Sequence, residues 1–244
     1  MAEVLKVAFR GAAREAPENT VPAIEAAVKA GADVVRIDVR VTRDDTAVLS
    51  AEPRLERISG VNRAVNRLKL AEIKELDAGA WFSDEFKGVR VPTLDEALAA
   101  AGDCGVSVAI AARRPSASFL EVVRKALAGR PKGAETWIGC TDSQALAEMI
   151  SWKLPAAGFL VLERPIDGWL LVEKSKKLGA KLIEPVDEMC DRALIAGAAE
   201  AGLRACACFS DEKQRLAELV GLGCDAVVTN RLDRLEKALT DADQ

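Results

Sequence analysis

Short apolar runs alternate along the chain with longer amphipathic stretches, and this alternation predicts repeated β/α units around a parallel sheet. Eight runs rich in Val, Ile, Leu and Ala are predicted strands, near residues 4–9, 33–39, 105–111, 135–140, 157–162, 180–184, 203–207 and 224–229. Eight parallel strands close a barrel. We therefore expect an α/β fold, a single (βα)8 TIM barrel domain over residues 1–244.

The amphipathic stretches between the strands are predicted helices. One extends over 20–31 behind the candidate cap Thr20, another over 142–152 behind Asp142, and a third over 210–222 behind Ser210. Glycines mark the predicted helix ends before the next strands, at Gly31, Gly179, Gly202 and Gly223.

One connection breaks this rhythm, between the second strand and the helix that begins near Thr93. The segment of about 45–92 is too long for an ordinary loop. We expect a small inserted lobe there, beside the barrel mouth.

Composition narrows the possible partners. Half of the residues are hydrophobic, 30% are charged and the net charge is -4, so the chain has no basic field for nucleic acid. No stretch approaches the roughly 18 apolar residues of a membrane span, and the first residues lack a secretory pattern. We expect a cytoplasmic protein without a membrane span.

The chain has no histidine and no tyrosine, and its six cysteines lack CxxC spacing. The commonest general base and transition-metal ligand is therefore missing. The cysteines are expected to be reduced core residues.

In barrels of this kind, function lies where strands end and the following loops begin. Charged and polar residues gather at these positions: Arg10, Arg36, Asp38, Arg40, Arg113, Arg114, Glu163, Arg164, Glu184, Asn230 and Arg231. Side chains alternate along a strand, so Arg36, Asp38 and Arg40 share one face. Several arginines are expected to converge on one opening.

Several motifs together resemble the glycerophosphodiester phosphodiesterase family. They are PENT at 17–20, GAD at 31–33, TRDD at 42–45, LDAGAWF at 76–82, VPTLDEAL at 91–98 and LVGLGCDAVVTNRLDRL at 219–235. The likeness spans almost the whole chain, including the inserted lobe, and implies a barrel and phosphodiester hydrolysis.

The two histidines that the resemblance implies as general acid and base are replaced by Phe9 and Ala51. The family's substrate wall is also changed, at Ala207, Cys208, Phe209, Ser210 and Asn230. No residue takes over the catalytic role with comparable support. Asp38 and Glu52 are the weak candidates.

The family's metal ligands correspond to Arg36, Asp38 and Ala111, so only one carboxylate remains. Ca²⁺ and Mg²⁺ require several hard oxygen ligands, and Arg36 would place a fixed positive charge at the site of the ion. We expect no metal and no other cofactor.

The family's phosphate-contacting residues correspond to Arg10 and Arg113. With Arg36 they could bind a phosphate or carboxylate without metal. Alternatively, Arg36 and Asp38, with Glu52 nearby, neutralise one another as an internal ion-pair network.

The leading hypothesis is a catalytically inactive or diverged family member that binds a phosphate-bearing or other anionic small molecule at the barrel mouth. One alternative is an active phosphodiesterase or other enzyme that uses Asp38, Glu52 and the arginines, with Glu163 or Glu184 as a second carboxylate. Another is a non-catalytic subunit that pairs with itself or with an active paralogue. A mouth plugged by Phe9 and the arginine pairs would argue against ligand binding.

Overall fold

The computed structural model describes residues 4–110, 114–131, 133–162 and 164–242. The strands are β1 (Leu5–Phe9), β2 (Val34–Val41), β3 (Ala47–Leu49), β4 (Gly105–Ile110), β5 (Thr136–Cys140), β6 (Ala157–Leu160), β7 (Leu182–Ile183), β8 (Arg204–Cys208) and β9 (Ala226–Thr229). The helices are α1 (Val21–Lys29), α2 (Glu56–Ser59), α3 (Leu70–Lys74), α4 (Leu94–Ala101), α5 (Ala117–Ala128), α6 (Ser143–Ser151), α7 (Gly168–Leu178), α8 (Arg192–Glu200), α9 (Lys213–Leu222) and α10 (Leu232–Ala242).

Eight of the strands form a parallel sheet in the order β6-β5-β4-β2-β1-β9-β8-β7. The two outer strands approach each other, and Lys181 N donates a hydrogen bond of 3.1 Å to Gly158 O. The sheet is thus a nearly closed barrel surrounded by helices, which confirms the predicted fold class.

The barrel interior is filled with side chains. The inward residues of successive strands form one cluster of Val7, Val34, Ala109, Trp137, Phe159, Leu182, Cys206, Ala226 and Val228. Gly139 leaves room for an aromatic ring, since a Cβ there would lie 2.4 Å from the ring of Phe159. The packed interior leaves the mouth, at the carboxyl ends of the strands, as the place for a site.

The outer face of the barrel packs against helices. Outward residues of β2 such as Val35 and Ile37 belong to a second core cluster with Ile24 of α1 and Leu94 of α4. The alternation along β2 therefore turns Arg36 and Asp38 inward.

Two of the three predicted helix caps are found at the N-termini of helices. Thr20 accepts a hydrogen bond from Ala23 N, and Asp142 accepts from the first turn of α6, so both predicted caps are confirmed. The prediction for Ser210 is wrong, because α9 begins at Lys213 behind Glu212. Ser210 N donates instead to Val228 O at 3.2 Å, which keeps this backbone beside β9.

The inserted lobe has a small core of its own. Its first strand, β3, pairs antiparallel with β2, and Val39 lies opposite Leu49. Its buried apolar residues are Val48, Leu55, Val65, Leu68, Ile73, Ala78 and Val91. The lobe thereby extends the sheet beside the mouth.

In the described ranges, no helix has the combination of length and apolar character that crossing a bilayer requires.

Candidate functional site at the barrel mouth

The mouth brings together side chains from strands that are far apart in the chain. Phe9 is the last residue of β1 and pairs in register with Arg36 of β2. Glu184 follows β7, and Cys208 ends β8. Parallel strands end at the same edge of a barrel, so these residues surround one opening.

Arg36 lies at the centre of this opening, with its side chain 8% exposed. Its Nε and Nη2 donate to the Glu184 carboxylate at 3.1 and 3.0 Å, and its Nη1 donates to Asp38 Oδ1 at 2.9 Å. Burial by itself lowers the pKa of Arg36, but the charges of Glu184 and Asp38 outweigh burial and hold this pKa above its ordinary value. The guanidinium is therefore permanently charged and bound on two sides.

Asp38 is held from its other side by the loop that carries the PENT motif. Arg10 Nε lies 2.7 Å from Asp38 Oδ2, and Asn19 both donates to this carboxylate and accepts a hydrogen bond from Asp38 N. Burial raises the pKa of Asp38, but the charges of Arg36 and Arg10 outweigh burial and lower this pKa below its ordinary value. Asp38 is thus held as a carboxylate.

Charged side chains continue outward from Asp38 in alternating order. Arg10 Nη1 donates to Glu18 at 3.1 Å, and Arg57 donates to both Glu18 and Glu52 at 2.5 Å. The sequence of contacts is Glu184, Arg36, Asp38, Arg10, Glu18, Arg57 and Glu52. We call these seven residues the mouth network. Each of its arginines contacts two carboxylates.

An aromatic pair covers part of the mouth network. The rings of Phe9 and Phe209 stack with centroids 4.5 Å apart. The guanidinium carbons of Arg10 and Arg36 lie 4.5 and 5.3 Å from the Phe9 ring centroid, within the range of cation–π attraction. Phe9 therefore packs against the arginines.

Cys208 is a poor nucleophile in this setting. Burial raises the pKa of its thiol, and the negative charge of Glu184 raises it further. The thiol is therefore protonated at neutral pH.

A sequence profile of the Glycerophosphoryl diester phosphodiesterase family matches residues 10–234. The chain belongs to this family. It is 38% identical over 101 residues to a glycerophosphodiester phosphodiesterase of Caldanaerobacter subterraneus, across 41% of this chain and 42% of that protein. It is 36% identical over 103 residues to a Bacillus subtilis glycerophosphodiester phosphodiesterase, across 39% and 35% of the two chains. The matched segments thus cover less than half of these curated relatives.

Solved structures of phosphodiesterases share the barrel over almost the whole chain. An Oleispira antarctica phosphodiesterase in complex with its product sn-glycerol-3-phosphate superposes with a TM-score of 0.87 at 22% identity, covering 97% of this chain and 96% of that chain. A glycerophosphodiester phosphodiesterase from Agrobacterium tumefaciens superposes with a TM-score of 0.77 at 25% identity, covering 96% and 100%.

The residues present do not fit the divalent ion that the family resemblance implies. Asp38 and Glu184 direct carboxylate oxygens to Arg36, whose guanidinium lies between them. Within the described ranges, no group of three or more His, Cys, Asp or Glu side chains is arranged to hold a metal ion. The predicted positions Ala111 and Arg113, and the candidate Glu163, lie outside the described residues.

The structure places the other predicted site residues as follows. Arg10, Arg36 and Asp38 lie together in the mouth network, whereas Glu52 contacts Arg57 and is about half exposed. Glu52 belongs to the same network but does not pair with Arg36, whose other side is occupied by Glu184. Ala51 lies at the rim, where its carbonyl accepts from Arg40 Nη2 at 2.6 Å.

Sequence reasoning did not assign roles to Glu18, Asn19 and Arg57. The intact PENT motif contains the first two and could have signalled them. Arg57 has no comparable signal, because its contacts depend on how the inserted lobe packs against the barrel.

Proposed function

We propose that this chain is a family member that does not perform metal-dependent phosphodiester hydrolysis. The observation that carries this proposal is the placement of Arg36 between Asp38 and Glu184, with hydrogen bonds to both carboxylates. A buried cation there repels a divalent ion and occupies the carboxylates that would bind it.

The absence of histidine supports the same proposal. The chain contains no histidine, and Phe9 and Ala51 stand at the positions where the family resemblance implies imidazole. Asp38 is a poor general acid because neighbouring arginines lower its pKa. Glu52 accepts a hydrogen bond from Arg57 at the exposed rim. This position argues against the alternative hypothesis of an enzyme that uses Asp38 and Glu52 in catalysis.

A metal-free site for a small anion is the second candidate function, and Arg10 is the arginine that favours it. Its side chain is 26% exposed, compared with 8% for Arg36. An incoming phosphate would have to compete with Glu18 and Asp38 for Arg10. The predicted contribution of Arg36 and Arg113 to such a site stays a proposal.

Hydrolysis of glycerophosphocholine by the purified chain, with Mg²⁺ or Ca²⁺, tests the first proposal. The Oleispira antarctica phosphodiesterase serves as the positive control in the same assay. We expect no release of glycerol phosphate above the protein-free background. Metal-dependent turnover that survives repurification would refute the proposal.

Titration with sn-glycerol-3-phosphate, followed by calorimetry and thermal shift, tests the second candidate. Binding that is lost in Arg10→Gln but kept in Arg124→Gln would support it, because Arg124 forms an exposed pair with Glu121 on α5. Equal behaviour of the two variants, or no heat of binding by the unmodified chain, would exclude an anion site at Arg10.

A further inference from the structure

An open groove lies on the helical flank of the barrel, between α7 and α8. Its volume is about 690 Å³. One wall carries Trp169, Val172 and Glu173 of α7, and the other carries Ala193 and Gly197 of α8. None of the residues that line the groove belongs to the mouth network, so the groove is a separate feature.

Trp169 is the main apolar group at this groove. The residue is 72% exposed, the largest value among the exposed large hydrophobic residues of the described ranges, and neighbouring Leu170 is 36% exposed. Tryptophan is enriched among the few residues that dominate the binding energy of protein interfaces, so Trp169 beside a concave surface is a candidate anchor for a partner.

The α8 wall is built to let another backbone approach closely. Ala193, Gly197 and Ala201 follow one another at four-residue spacing and all line the groove. A Cβ at Gly197 would meet nothing within 4 Å, so this glycine does not serve the packing of α7 against α8. The groove beside Gly197 is therefore open to the side chains of another molecule.

The charges around the groove are mostly negative. Among the described residues that line it, Lys176 is the one basic side chain, against five acidic ones: Asp167, Glu173, Glu188, Asp191 and Glu200. A second copy that presented the same face would place carboxylates against carboxylates, which disfavours symmetric pairing through this groove. A partner with basic residues around an apolar face complements it.

We propose that the α7–α8 groove docks an amphipathic helix of a partner protein, with apolar residues against Trp169 and Gly197 and Lys or Arg at its edges. In helix-in-groove recognition an amphipathic helix lays its apolar face against apolar side chains, and Trp169, Val172 and Leu194 provide such side chains here between acidic residues. The inference is independent of the proposed function of the mouth.

A synthetic Leu/Lys helix of roughly 14 residues, about the length of an average protein helix, is the probe for this site. Its fluorescein-labelled form is titrated with the full chain and followed by anisotropy. We expect saturable binding that weakens with added salt. A matched Leu/Glu helix should not bind.

Two variants locate the binding, each with a matched control. Trp169→Ala should weaken binding about tenfold or more, as expected for a central tryptophan. Trp81→Ala is its control, because Trp81 is 40% exposed in the inserted lobe, away from the groove, and this variant should bind like the unmodified chain. Gly197→Leu should fill the groove without disturbing α8, and Gly221→Leu is its control because a Cβ at Gly221 in α9 also meets nothing within 4 Å.

Three outcomes would overturn the proposal. The first is failure of the unmodified chain to bind the Leu/Lys helix, and the second is equal binding by Gly197→Leu and Gly221→Leu. The third is a dimer of the unmodified chain in analytical ultracentrifugation that Trp169→Ala dissociates, because the groove would then hold a second copy.

Discussion

Replacing Arg36 with glutamine should destabilise the barrel strongly, because the substitution removes the cation that Asp38 and Glu184 surround. Their side chains are 11% and 4% exposed, so water cannot compensate for the lost charge. Breaking a buried ion pair by removal of one partner costs about 3–5 kcal/mol. For a protein of this size, roughly 2–4 °C is lost per kcal/mol, so the melting temperature should fall by roughly 6–20 °C.

A triple variant distinguishes the effect of an uncompensated charge from a loss of packing. In the triple variant Arg36→Met, Asp38→Asn, Glu184→Gln, all three charges are removed together. Neutral groups of similar volume can replace a buried ion-pair cluster at little cost. The triple variant should therefore be more stable than Arg36→Gln alone.

The pH dependence of the free energy of unfolding gives a second test of the ion pair between Arg36 and Asp38. The pKa of Asp38 is lowered from 3.8, so its contribution to stability is present above that pH and is lost as the pH falls through the lower pKa of the folded state. Arg36→Gln removes one of the two charges that lower this pKa. The difference in free energy of unfolding between the unmodified chain and Arg36→Gln should therefore shrink as the pH falls below about 4, where free aspartate becomes protonated.

Urea unfolding followed by circular dichroism at neutral and acidic pH measures these differences. Arg124→Gln is the matched control, because Arg124 makes two hydrogen bonds of 2.7 Å to Glu121 on the exposed surface of α5. That variant should behave like the unmodified chain. If the free energy of unfolding of Arg36→Gln lies within about 1 kcal/mol of that of the unmodified chain at neutral pH, the contribution of Arg36 is that of a surface pair and the predicted buried ion pair is excluded.

Three further predictions follow from the same structure. Arg36→Glu should place three carboxylates at the mouth, so Ca²⁺ should raise the melting temperature of this variant and leave that of the unmodified chain unchanged. Gly139→Ala should cost about 1–3 kcal/mol in urea unfolding by forcing a Cβ against Phe159, whereas Gly197→Ala, with open space around it, should not destabilise the chain. Burial raises the pKa of the Cys140, Cys190 and Cys224 thiols to about 11 or 12, so these buried thiols should react slowly with a disulfide reagent near pH 8 until urea unfolds the chain. Fast reaction of the native chain at these three positions would contradict their burial.

Much of the fold could be predicted because local patterns encode it. Apolar runs at regular intervals predicted the eight barrel strands, and period-two alternation placed Arg36 and Asp38 on one face of β2. The ends of the strands were predicted less accurately. For example, β7 covers only Leu182–Ile183, whereas a strand near 180–184 was predicted. The short strand β3 of the inserted lobe was not predicted, since three residues carry almost no periodic signal.

In the mouth network, some features can be read from the sequence, whereas others exist only in the folded chain. The absence of histidine is a property of the sequence. So is the position of Arg36 in the motif pattern, where the family resemblance implies a metal ligand. The partner of Arg36 cannot be read from the sequence, because Glu184 lies 148 residues away and meets Arg36 only when the barrel closes. The Phe9–Phe209 stack and the groove beside Trp169 arise in the same way. Periodicity specifies which face of an element is buried, but the long-range partner of a side chain depends on how the elements pack.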